Sequence, residues 1–73
     1  MDYKLSRDQY TVLEFIAEGA SLRLRKDGYM LVYPRYVAAP PCRNDEIEQL
    51  IQLGLILHGS LTDSGRQVLA NKK

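Results

Sequence analysis

Apolar positions change their period along this chain, and each change marks an element. Tyr10, Leu13, Ile16 and Ala17 fall on one face at helical spacing, widened by Val12 and Phe15. Ser6 and Gln9 stand at capping-box spacing, and Leu5 with Tyr10 at staple spacing. Gly19 lies where a helix C-cap belongs, so the pattern predicts a first helix over about 7–18. The stretch 21–26 then alternates with period two, as a half-buried strand does. Asp27-Gly28 is a favoured two-residue hairpin turn, and 29–33 is the returning strand. With that turn Leu24 pairs with Leu31 and Leu22 with Tyr33 on one face, with Leu24 and Leu31 expected as core neighbours of the first helix. Arg23, Arg25, Met30 and Val32 share the other face.

Pro34 ends the return strand, and 35–41, with its Pro40-Pro41 pair, reads as an irregular connector. Asn44 is the expected N-cap of a second helix, with Asp45 and Glu46 where the helix dipole favours negative charge. Ile47, Leu50 and Ile51 form its apolar stripe, and Gly54 stops it. Leu55, Ile56 and Leu57 suit a short strand, Gly59-Ser60 a turn, and Thr62 the N-cap of a last helix. Asn71, Lys72 and Lys73 make a basic tail expected to fray. The predicted order is α-β-β-α-β-α, an α+β class, in one domain spanning 1–73.

Composition narrows the classes. Seventy-three residues hold at most one small core, which makes self-association as a homodimer a reasonable expectation. Ten Lys and Arg stand against nine Asp and Glu, so the basic excess of a dedicated nucleic-acid binder is missing. A single cysteine, Cys42, excludes an internal disulfide and fits a reducing cytoplasm. No apolar leader follows Met1 and no apolar run is long enough to span a bilayer, so neither a signal peptide nor a membrane segment is expected.

The stretch 44–70, a helix ending in Leu53-Gly54-Leu55-Ile56, a short strand pair and then Leu61-Thr62-Asp63-Ser64-Gly65-Arg66, resembles the C-terminal half of winged helix-turn-helix domains. A small winged-helix-like domain is therefore expected, with a β-hairpin in place of the usual second helix. In layout the chain is also similar to the YjhX-like family of small bacterial toxin-like proteins. The likeness runs over roughly 5–69: Leu5-Ser6-Arg7 with Gln9, then 13–19, a central β segment, the leucines of 50–56 and a closing helix.

Two binding functions compete. A small bacterial or phage-type regulator or inhibitor acting on another protein would use the mixed hairpin face, Arg23, Arg25, Lys26, Met30 and Val32. It would also use the outer face of the second helix, Glu46, Glu48, Gln49 and Gln52, with Asp45 beside them. A reduced winged-helix transcriptional regulator would bind DNA through Arg35, Arg43, Gln49, Gln52 and Arg66. The carboxylates of the second helix would repel phosphate, which favours the protein partner. Tyr29, Tyr33 and Tyr36 could stack bases, but alternating tyrosines more commonly pack a sheet. His58 and Cys42 are single, so neither a zinc site nor a cysteine nucleophile assembles, and no glycine-rich phosphate loop is present. No cofactor, metal or enzymatic activity is expected.

Overall fold

The computed structural model describes residues 4–71, so Lys72 and Lys73 of the basic tail and Met1, Asp2 and Tyr3 lie outside the described residues. The chain runs α1 (Arg7–Ala17), β1 (Ser21–Arg25), β2 (Gly28–Val32), β3 (Val37–Ala38), α2 (Asn44–Gln52), β4 (Ile56–Leu57), β5 (Ser60–Leu61) and α3 (Asp63–Ala70). It is an α+β domain with two antiparallel sheets, β1-β2-β3 and β4-β5. Its Cα radius of gyration, 11.2 Å, is that of a compact chain of this length.

α1 begins as its sequence dictates. The Gln9 N–H donates to the Ser6 hydroxyl at 3.2 Å, and the Ser6 N–H donates to the Gln9 side chain at 2.8 Å. The buried stripe is Gln9, Val12, Leu13 and Ile16. It is rotated from the expected face: Ala17 is exposed and Gln9 is inside. Leu22 and Leu31 from the larger sheet, Ile47 and Leu50 from α2, and Leu55, Ile56 and Leu61 complete one apolar cluster with α1. Partly buried Val68 and Leu69 of α3 pack against it.

The first hairpin keeps its predicted faces but slides by two residues in register. Leu22 pairs with Leu31, Arg23 with Met30, Leu24 with Tyr29 and Arg25 with Gly28. The loop is Lys26-Asp27, neither at positive φ, and Gly28 carries the positive φ (+121). That is the division of labour of a type I turn followed by glycine, in place of the mirror-image turn expected at Asp27-Gly28. Neighbouring geometry favours it, since a Cβ on Gly28 would lie 2.6 Å from the Asn44 side chain. The slide moves Leu24 toward the tip, where it is 69% exposed and is not a core neighbour of α1.

Three other expectations are corrected. The connector contains a strand, β3, pairing Val37 with Val32 and Ala38 with Leu31. It returns through a Pro34-Arg35 turn closed by the Tyr33 N–H on the Tyr36 carbonyl at 2.8 Å. The N-cap position of α2 is Arg43, not Asn44, and its side chain makes no capping hydrogen bond; the Asn44 side chain instead accepts from the Tyr29 N–H at 3.3 Å. The turn after β4 is His58-Gly59, both at positive φ (54 and 80), so Ser60 belongs to β5. Two left-handed residues in succession match the twist of a tight hairpin. Two strands, β3 and β5, are thus added to the predicted order.

The C-terminal hairpin is fixed to β1. The Leu22 N–H donates to the Gly59 carbonyl at 3.0 Å, and a Cβ at Gly59 would come within 2.6 Å of the Leu22 carbonyl oxygen. Thr62 caps α3 as expected, accepting from the Gly65 N–H at 3.1 Å, while its hydroxyl donates to the Gly54 carbonyl. Gly65 itself is buried against the Leu55 carbonyl and Leu61, leaving no room there for a side chain.

Candidate functional surfaces

The α1–α2 junction takes up part of the second helix's polar face. Gln9 is 2% exposed, yet every polar atom of its side chain is used. Its amide nitrogen donates to the Glu46 carbonyl at 3.0 Å and to the Gln49 side chain at 2.9 Å. The Ser6 hydroxyl donates to one Glu46 carboxylate oxygen at 3.1 Å, and the Arg43 N–H donates to the other at 3.2 Å. Two predicted partner-binding residues, Glu46 and Gln49, therefore hold the helices together. Asp45, Glu48 and Gln52 remain exposed.

Helical spacing divides the rest of α2. Glu48 lies four residues after Asn44 and three before Ile51, so these three share the flank toward the first hairpin. Glu46 and Gln49 turn the other way, toward α1. Cys42, just before α2, packs partly buried against the core. Burial first, and then the carboxylates of Glu46, Asp8 and Asp45, push its thiol up to about 11. It is a neutral thiol at physiological pH, the opposite of an activated nucleophile.

The outer face of the larger sheet is the second surface. Every buried core residue of the sheet belongs to its inner face, where the helices pack, so Arg23, Arg25, Met30 and Val32 point the other way. β3 adds Val37, paired with Val32 and 45% exposed. The result is an apolar strip of Met30, Val32 and Val37 bordered by two arginines, with Lys26 at the tip. Sequence reasoning missed Val37 because a two-residue strand has no period to read. The Tyr33 and Tyr36 rings stack on each other at 4.5 Å, which covers one face of each ring with the other. Burial, then Tyr36 and Glu18, raise the Tyr33 phenol above its ordinary pKa.

A third surface has no counterpart in the sequence reading. Between the tip of the first hairpin, the end of α2 and the C-terminal hairpin lies a groove of about 400 Å³. Leu22, Leu24, Tyr29, Ile51, Ile56 and Leu57 supply its apolar lining. Leu24, Leu57 (60% exposed) and Ile51 (38%) are three of the large apolar side chains left in solvent, and all three converge here. Arg23, His58 and Gly59 complete its border, and Tyr29 adds a phenol to the lining.

The predicted DNA-contacting residues come from separate elements: Arg35 from the β2–β3 turn, Arg43 from the cap of α2, Gln49 and Gln52 from α2, and Arg66 from α3. Among the described residues no group of three or more His, Cys, Asp and Glu gathers as metal ligands, and no helix is long and apolar enough to cross a membrane. No protein-family model, curated protein or solved structure matches the chain.

Proposed function

We propose that this chain is a small non-enzymatic regulator or inhibitor that works by covering part of another protein. The observation that carries this reading is the outer sheet face, where Met30, Val32 and Val37 lie in one strip beside Arg23 and Arg25. Apolar side chains with arginine at their margin are what protein interfaces enrich, and arginine on a sheet face suits an acidic partner. In this reading the domain is winged-helix-like: β4-β5 stands as the wing, and the β1-β2-β3 sheet takes the place of the usual second helix. The bacterial or phage-type, cytoplasmic setting of such regulators belongs to the same proposal.

The test is capture from a bacterial lysate treated with nuclease, comparing the parent with Arg25→Glu and Val37→Glu. Both positions are exposed, so both variants should fold like the parent. A protein retained by the parent after nuclease and lost by both variants supports the reading. A sequence-specific duplex-DNA complex tighter than about micromolar, beyond ordinary non-specific affinity, would replace it with the transcriptional-regulator reading.

A further inference from the structure

We draw no further inference here: the strongest candidate, the apolar groove between the tip of the first hairpin and the C-terminal hairpin, carries nothing because nothing in the structure shows what covers it.

Discussion

The two ends of the first hairpin carry the same residue type on the same face and meet opposite fates. At the base Leu22 and Leu31 pair and are 6% and 1% exposed; at the tip Leu24 pairs with Tyr29 and is 69% exposed. Both ends satisfy period-two alternation, so alternation settles which way a side chain points. It leaves open whether anything is there to cover it. At the base Leu22 and Leu31 join the cluster with residues of α1 and α2, whereas at the tip Gly28 and Tyr29 meet Asn44 of α2 and Leu24, across from them, is left beside an open groove.

Truncation measures that difference most directly. Leu31→Ala should cost roughly 2–5 kcal/mol, the usual range for a fully buried leucine. For a chain this short, that approaches the whole stability. Leu24→Ala should stay within about 0.5 kcal/mol, as exposed substitutions do. Urea unfolding at a concentration that keeps the protein monomeric gives both values. Equal losses at the two sites would mean that the tip is as well covered as the base.

Much of the fold was legible because local chemistry and tertiary structure agree. Ser6 and Gln9 form their capping box, Thr62 caps α3, and the two faces of the first hairpin segregate as alternation requires. What was not legible depended on partners distant in sequence. The turn moved to Lys26-Asp27 because Gly28 meets the Asn44 side chain, and that side chain bonds the Tyr29 N–H instead of capping α2. Neither residue reveals the other in the sequence. The groove escaped for a related reason: Leu24, Ile51 and Leu57 each belong to the apolar pattern of their own element, and only assembly shows their shared margin uncovered. Arg23, Arg25, Met30 and Val32 could be placed on one face in advance, since a slide of two residues preserves sidedness.

A smaller effect separates the polar α1–α2 junction from the polar surface of the same helix. Gln9→Ala should cost about 1–3 kcal/mol, because it removes half of the capping box and leaves the Ser6 N–H and the Glu46 carbonyl with one partner fewer. Gln52→Ala, on an exposed position of α2, should fall within about 0.5 kcal/mol. Gln49→Ala should lie between them, since its side chain is exposed yet receives the Gln9 amide. Thermal melts of the three variants rank them. A Gln9→Ala variant as stable as Gln52→Ala would make the junction incidental to the fold.

The last difference is visible only in alkali, and it comes from a half-buried residue packed against the core. Burial and the neighbouring carboxylates raise the Cys42 thiol to about 11, against about 8.5 in an unfolded chain. Between those values the folded protein keeps a proton that the unfolded chain has released, so stability must fall as pH rises through this window. Below about pH 8 both states are protonated, and the residue adds no pH dependence. Tyr33, also raised, contributes a decline of the same sign, so the parent's alkaline profile alone does not isolate the thiol. The difference between the parent and Cys42→Ala does. Their urea midpoints should keep a constant separation up to about pH 8 and then converge or cross toward pH 11, as the parent alone loses the thiol's contribution. Alkylation gives an independent reading: the native thiol should react much more slowly at pH 8 than the urea-unfolded chain, since the thiolate is the nucleophile. Equal alkylation rates in the two states, or parallel midpoints through pH 11, would place Cys42 in open solvent and away from the carboxylates of Glu46 and Asp8.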